Sequence, residues 1–178
     1  MGLDLIEFTI AVEDSFQISI PDADASRIQT PGQLVNYLLT RLPPASSSQC
    51  LDQCAFYSLR RATMRVLGHA RRAIKTESRW DDLLPRTRRR VHWNLLHHAT
   101  GTSKWPGFTP WGTLPKRLST VGGTARYLAT YTPGAFKDAR KHWTRSEVER
   151  VIKGLMAELF AISEFEWDQR FVQDLGLD

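Results

Sequence analysis

Two stretches of the chain repeat each other at a spacing of 90 residues, and this repeat limits the folds available to it. Residues 30–38 read TPGQLVNYL and residues 120–128 read TVGGTARYL, so Thr, Gly, Tyr and Leu recur at matching places. A looser echo relates RWDDL at 79–83 to RFVQDL at 170–175. Such repeats indicate a structural unit that is built more than once. A chain of 178 residues is long enough for two small units of this kind.

Apolar spacing and capping residues predict an all-α fold. Thr30 before Pro31 is typical of a helix start, and Thr144 with Glu147 three residues later forms a capping-box pattern. Apolar residues at helical spacing and the breaks between them predict long helices over residues 3–14, 30–42, 51–68, 87–99, 120–130 and 144–160. The Trp residues at 80, 105 and 111 are expected to fill the core of the middle region.

The parts of the repeat occur in two different orders. Residues 51–130 contain, in order, a long helix, a loop with an aromatic residue and Asp-Leu, and a Thr-capped helix. The outer segments contain the same parts in this order only if residues 143–178 are placed before residues 1–42. The face of Leu3, Ile6 and Ile10 is expected to be buried, and a helix pair alone cannot bury enough apolar area to fold. We therefore expect one unit from 1–44 plus 143–178 and another from 50–131, with linkers at 45–49 and 132–142.

The outer unit contains FVQDLGLD at 171–178 and LDLIEFTIAVEDSF at 3–16. These stretches resemble, in that order, the segments just before and just after the Asp-Ser-Leu motif of the acyl carrier protein family. IPD at 20–22 and residues 30–38 are similar to the later loop and last helix. The resemblance implies two acyl-carrier-like four-helix bundles. One is circularly permuted, with 143–178 followed by 1–42, and the middle one is more divergent.

The resemblance also implies a phosphopantetheine arm on a serine, and that serine is absent. Met1-Gly2 stands between Asp178 and Leu3, where the family has its serine. Thr87 lies near the equivalent point of the middle unit and is a weak candidate, because arginines surround it instead of the acidic residues that the modifying enzyme recognises. We expect no attached cofactor. The alternative is a genuine carrier whose chain boundaries are mis-set, and the DNA preceding Met1 would decide.

Acidic residues on the first helix are candidates for partner recognition. Asp4, Glu7, Glu13 and Asp14 match the acidic pattern that meets basic patches of partner enzymes in the family. They also suit an ordinary solvated helix surface with two acids near the positive end of the helix dipole. Both interpretations remain open at this point.

The middle of the chain is strongly basic. Residues 51–142 carry eighteen basic and five acidic side chains, while both ends are acidic. Arg86, Arg88, Arg89 and Arg90 form a basic patch at a predicted helix start, where the helix dipole disfavours positive charge. For this basic region we expect an acidic protein partner, or docking on the chain's own acidic unit. Binding to nucleic acid is the second alternative.

These features together predict a non-enzymatic, carrier-like scaffold linked to acyl transfer or to fatty-acid or polyketide-type metabolism. No catalytic motif is present, and neither the histidines nor Cys50 and Cys54 show metal-site spacing, so no metal is expected. A basic leader and a long apolar run are both missing, which favours a cytoplasmic protein with no membrane contact. A nucleic-acid-binding module is the alternative of another class. A head-to-tail domain-swapped oligomer would also complete the outer unit.

Overall fold

The fold is all-α, as the sequence predicts. A computed structural model describes residues 2–45, 50–137 and 142–178, and this part of the chain contains no strand beyond two isolated bridges. The helices are α1 Leu3–Phe16, α2 Asp22–Ala25, α3 Pro31–Arg41, α4 Leu51–Leu67, α5 Trp80–Leu83, α6 Arg89–Thr100, α7 Val121–Tyr131 and α8 Arg145–Phe160. Short 3₁₀ turns span Arg71–Ala73, Lys116–Leu118 and Pro133–Phe136. No helix among the described residues is long and apolar enough to cross a bilayer.

The chain divides into two compact units. Unit 1 comprises Met1–Gln49 with Lys137–Asp178, and unit 2 comprises Cys50–Phe136. Unit 2 holds fifteen of the basic and four of the acidic residues, a net charge of +11, whereas unit 1 holds nine and fifteen, a net charge of −6. Residues 46–49 and 138–141, which belong to the predicted linkers, lie outside the described residues.

Side-chain caps start three of the helices, and the sequence predicts each of them. Thr30 Oγ1 accepts a hydrogen bond from the amide of Gln33, and Pro31 is the first helical residue of α3. Thr120 caps α7 in the same way. Thr144 and Glu147 form the predicted reciprocal capping box at the start of α8. Each cap satisfies amides that otherwise lack partners at a helix start.

Unit 1 is built around α8, which packs against both α1 and α3. Phe8 of α1 lies edge-on to Phe160 of α8, with 6.0 Å between ring centroids, and Phe16 packs on Trp143 at 4.8 Å. The other large apolar side chains buried in these three helices are Val12, Leu34, Val35, Leu38, Val148, Val151, Ile152, Leu155 and Met156. The last helix therefore supplies much of the core that the first helices require.

A buried ion pair ties residue 137 to α8. Lys137 Nζ lies 2.7 Å from Glu147 Oε2, and each side chain is 3% exposed. The same ammonium lies 5.0 Å from the ring centroid of Trp143. Glu147 also accepts the amide of Thr144, so one carboxylate serves both the helix cap and the ion pair. Charges buried to this degree are stable only when paired.

Unit 2 is built around α4, which packs on α6 and α7. Its centre is a tryptophan pair, Trp80 and Trp93, at 5.0 Å and 80°. Trp80 Nε1 donates to Thr124 Oγ1 at 2.8 Å, and Trp93 Nε1 donates to the carbonyl of Pro106 at 2.7 Å, which satisfies both indoles. Trp105 packs on Trp93 at 4.9 Å.

The prediction that Trp111 fills the core of unit 2 is wrong. Trp111 is 89% exposed, because Gly112 takes a left-handed conformation in a tight turn that closes between Thr109 and Thr113, and this turn carries residue 111 outward. Met64 of α4 is 37% exposed, whereas the neighbouring Thr63 is buried and donates to the carbonyl of Leu59.

Candidate functional site

The end of the tail meets the start of α1. The amide of Asp4 donates to the main-chain oxygen of Asp178 at 3.0 Å, which places that oxygen where the preceding turn of the helix would lie. A Cβ built on Gly2 would overlap the carbonyl carbon and oxygen of Asp178. Any side chain at position 2 must therefore displace residue 178. This junction of Gly2 and Asp178 is called the seam below.

The tail is joined by backbone hydrogen bonds to the start of α3 and to the segment just before it. The amide of Phe171 donates to the carbonyl of Gln29 at 3.0 Å, and the amide of Gly32 donates to the carbonyl of Trp167 at 2.8 Å. The Phe171 ring packs on Phe8 at 5.6 Å. The position of the tail is thus set by α1 and α3 together.

The buried face of α1 is not the one that the sequence predicts. Leu3, Ile6 and Ile10 are 83%, 40% and 52% exposed. The side chains that α1 buries instead are Phe8, Ala11, Val12, Ser15 and Phe16. Phe160 of α8 and Phe171 of the tail both pack on Phe8, and this aromatic group selects the face that turns inward.

The outward face of α1 combines apolar and acidic side chains. At about 100° per residue, Leu3, Ile6, Glu7, Ile10 and Asp14 fall within one third of the helix circumference, opposite the buried face. Glu7 and Asp14 are exposed. This set of five residues is called the α1 outer face.

The other two acidic candidates have different surroundings. Asp4 is half-buried at the seam, in the first turn of α1. Glu13 Oε1 accepts the amide of Ile20 at 2.6 Å, so that carboxylate holds the loop that follows α1. Of the four predicted partner-recognition residues, only Glu7 and Asp14 belong to the α1 outer face.

A small apolar cavity lies behind α1. Its volume is about 30 Å³, enough for one or two waters but not for an extended chain. It is lined by Leu5, Phe8, Thr9, Ile20, Ala25, Ile28, Leu34 and Phe171. No short-range sequence signal marks these positions as a group, because the lining comes from α1, the loop after it, α2, the segment that leads into α3, α3 itself and the tail.

In unit 2, Thr87 is exposed and precedes α6 by two residues. The predicted helix start at Thr87 is wrong. Arg88 takes a left-handed conformation with φ of 56°, and α6 begins at Arg89. The chain therefore turns sharply between Thr87 and the helix.

Within the predicted basic patch, Arg89 forms an ion pair, and the other three arginines form none with any residue that the structure describes. Arg89 Nη2 lies 2.6 Å from Asp81 Oδ1, and Arg79 lies 3.4 Å from the other oxygen of the same carboxylate. The hydrogen bond from Arg89 is the main cause that lowers the pKa of Asp81. Arg86, Arg88 and Arg90 are exposed and form no ion pair among the described residues.

The histidines and cysteines do not converge. His69, His92 and His97 each lie within hydrogen-bond distance of a backbone carbonyl, and His97 stacks on Trp105 at 5.3 Å. The cysteines are free thiols, Cys50 exposed and Cys54 half-buried. Within the ranges that the structure describes, no three metal-ligating side chains lie close enough together to hold an ion.

Comparison with known proteins finds a similarity that covers part of the chain. The chain is 45% identical over 39 residues to the acyl carrier protein of Wolinella succinogenes, and these residues make up 22% of this chain and 51% of that protein. The chain thus spans about half the length of the curated relative it matches. No family model and no solved structure matches the chain. A segment of this chain is therefore similar to acyl carrier proteins.

Proposed function

We propose that the chain is a carrier-like, non-catalytic scaffold that presents the α1 outer face to an enzyme of acyl-chain metabolism, in the cytoplasm. The observation that carries this proposal is the position of that face: it starts at the seam, on a helix whose sequence resembles the segment after the carrier motif. The match to an acyl carrier protein supports the same interpretation.

Unit 1 would be a circularly permuted carrier-like bundle. Its support is the hydrogen bond between Asp4 and Asp178 together with the packing of α8 on α1 and α3. In this interpretation the tail meets α1 at the seam, at the place where a carrier chain would run directly from one segment into the other. Neighbouring ends make such a permutation physically accessible.

Unit 2 would be a divergent copy, and its support is a geometry that recurs at the repeat. Gly122 donates to the carbonyl of Thr76 at 2.8 Å, as Gly32 does to Trp167, and each glycine is the second residue of a Thr-capped helix. Four residues after each of those carbonyls the chain carries Trp80 or Phe171, whose amides donate to Ser119 and Gln29 respectively.

The chemistry at the seam supports a scaffold role. Position 2 has no hydroxyl to carry a phosphopantetheine arm, and a side chain there would collide with Asp178. Thr87 is exposed but lies beside Arg86, Arg88 and Arg90, a setting unlike the acidic one that the modifying enzyme would engage.

The α1 outer face suits a partner that joins a basic patch to an apolar one. The exposed carboxylates of Glu7 and Asp14 would steer such a partner, and the exposed Ile10 would supply apolar contact area.

The test is modification and binding by a broad-specificity phosphopantetheinyl transferase. After incubation with coenzyme A, intact mass should show no gain, while a genuine acyl carrier protein in the same tube gains the arm. A gain of the arm's mass would overturn the scaffold role, and a Thr87→Ala variant would show whether Thr87 carries it.

Binding to the same transferase tests the surface separately. We expect weak, salt-sensitive binding that Glu7→Lys abolishes. Glu166→Lys is the matched control, because it makes the same charge change at an exposed residue outside α1. Equal losses in both variants would contradict a role for the α1 outer face.

A further inference from the structure

We infer that unit 2 carries a binding groove for single-stranded nucleic acid, formed between α4 and the 3₁₀ turn at Arg71–Ala73. The groove has a volume of about 400 Å³ and is lined by Tyr57, Arg60, Arg61, Met64 and Arg71. It differs from the predicted basic patch at residues 86–90 and from every part of unit 1.

The groove exists because the chain folds back after α4. Tyr57, Arg60, Arg61 and Met64 are spaced three and four residues apart, so they share one face of the helix, opposite the buried Ala55, Leu59 and Ala62. Gly68 then ends α4 in a left-handed conformation with φ of 72°. The reversed chain brings Arg71 to the same groove, and the buried Ile74 anchors the segment that follows.

Three arginines line this groove, and no carboxylate of the described residues does. No acidic residue lines it, and Arg60, Arg61 and Arg71 form no ion pair among the described residues. Like charges held together raise the free energy of the empty groove, and an anion would relieve that repulsion. Phosphate is the anion that guanidinium groups match best in geometry.

The groove also offers a stacking surface. Arg60 lies over the rings of Phe56 and Tyr57, at 5.0 and 4.9 Å from their centroids. Tyr57 is 39% exposed, and Gln53 Nε2 donates to its hydroxyl at 3.0 Å, which holds the ring in place. Planar guanidinium and aromatic groups are what unpaired bases stack on.

Phosphate recognition and base stacking together favour a single-stranded nucleic acid over an acidic protein surface. A carboxylate-bearing partner would use the arginines but not the ring platform. The net charge of +11 on unit 2 is also larger than the charge of the three arginines in the groove. Such an excess favours a long polyanion as the ligand.

The experiment is fluorescence anisotropy with the full chain and a labelled oligo-dT of about fifteen nucleotides, a length that fits typical single-strand site sizes. Binding should be clear at low salt and weaken linearly on a log–log salt plot. Arg61→Gln should reduce the slope of that plot by about one. Arg126→Gln is the matched control, since it removes one exposed charge of unit 2 outside the groove and should leave the slope nearly unchanged.

Two tyrosine variants separate stacking from charge. Tyr57→Leu should weaken binding by roughly 5- to 100-fold with no change in slope, whereas Tyr57→Phe keeps the ring and should bind like the parent. Circular dichroism should match among all variants, because the replaced side chains are exposed. No binding at low salt would overturn the proposal. Equal binding by Tyr57→Leu, with full displacement of the oligonucleotide by polyglutamate, would overturn it in favour of an acidic protein partner.

Discussion

The amide of Gly32 donates a 2.8 Å hydrogen bond to the carbonyl oxygen of Trp167, and a Cβ on this glycine would lie 2.8 Å from the same oxygen. Gly122 has the same relationship to Thr76, with the same two distances. In each unit a helix start thus touches the backbone of a loop that is distant in sequence, and the contact leaves no room for a side chain.

Gly32→Ala should therefore destabilise unit 1, and Gly122→Ala should destabilise unit 2. A Cβ at that distance forces the loop away and lengthens the hydrogen bond, which costs about 1–3 kcal/mol. The helix propensity of alanine returns at most about 1 kcal/mol. Hydrogen exchange read by mass spectrometry should show faster exchange confined to the unit that carries the change.

Gly107→Ala is the control for this pair. No heavy atom lies within 4 Å of a Cβ at position 107, so exchange should match the parent in both units. Faster exchange spread evenly over the chain in either test variant would contradict the local origin of the effect.

Local signals were enough to predict the long helices and the threonine caps of three of them. Thr30, Thr120 and Thr144 act on amides within three residues, so short-range pattern determines them. The orientation of α1 could not be predicted in the same way, because its many apolar residues offer two faces. Phe160 and Phe171, far along the chain, decide between those faces.

The groove of unit 2 could not be predicted from the sequence either. Its arginines at 60, 61 and 71 are ordinary exposed residues until Gly68 reverses the chain and brings the last of them back to α4. The left-handed Gly68 at the end of α4 is a local feature, but its consequence is that residues eleven apart in sequence, Arg60 and Arg71, line the same groove.

The contribution of the tail and of α8 to the stability of unit 1 can be tested at Phe8, which packs on aromatic residues of both. Phe8 is 2% exposed and packs on Phe160 and Phe171, so Phe8→Ala should lower the free energy of unfolding of unit 1 by about 3–5 kcal/mol. Ile10→Ala, on the α1 outer face, should change it by less than about 0.5 kcal/mol. Urea unfolding monitored by circular dichroism would measure both. Equal losses of unfolding free energy in Phe8→Ala and Ile10→Ala would contradict the buried face seen in the structure and favour the one that the sequence predicts.

Replacing only one partner of the buried ion pair between Lys137 and Glu147 should strongly lower the free energy of unfolding. Lys137→Met leaves a 3%-exposed carboxylate without its cation, and the expected loss is about 3–5 kcal/mol. Adding Glu147→Gln should recover part of that loss, because glutamine removes the charge and keeps an acceptor for the amide of Thr144.

Lys153→Met provides the comparison for the buried pair. Lys153 pairs with Glu164 at 3.1 Å, but the two side chains are 46% and 86% exposed, so the change should cost less than about 1 kcal/mol. Thermal unfolding of the variants in parallel would rank them. Similar midpoints for Lys137→Met and Lys153→Met would contradict the role of burial.

Asp81 should make the stability of unit 2 depend on acid pH. Its pKa is lowered mainly by the hydrogen bond from Arg89, so its contribution is present at neutral pH and is lost as the pH falls through the lowered value, below the usual value near 4. Arg89→Gln should raise the pKa of Asp81 towards that usual value. Arg79→Gln should raise it less, because Arg79 lies 3.4 Å away and Arg89 lies 2.6 Å away. Carboxyl chemical shifts followed by NMR between pH 2 and 6 would measure all three proteins, and an unchanged Asp81 titration in Arg89→Gln would refute the assigned cause.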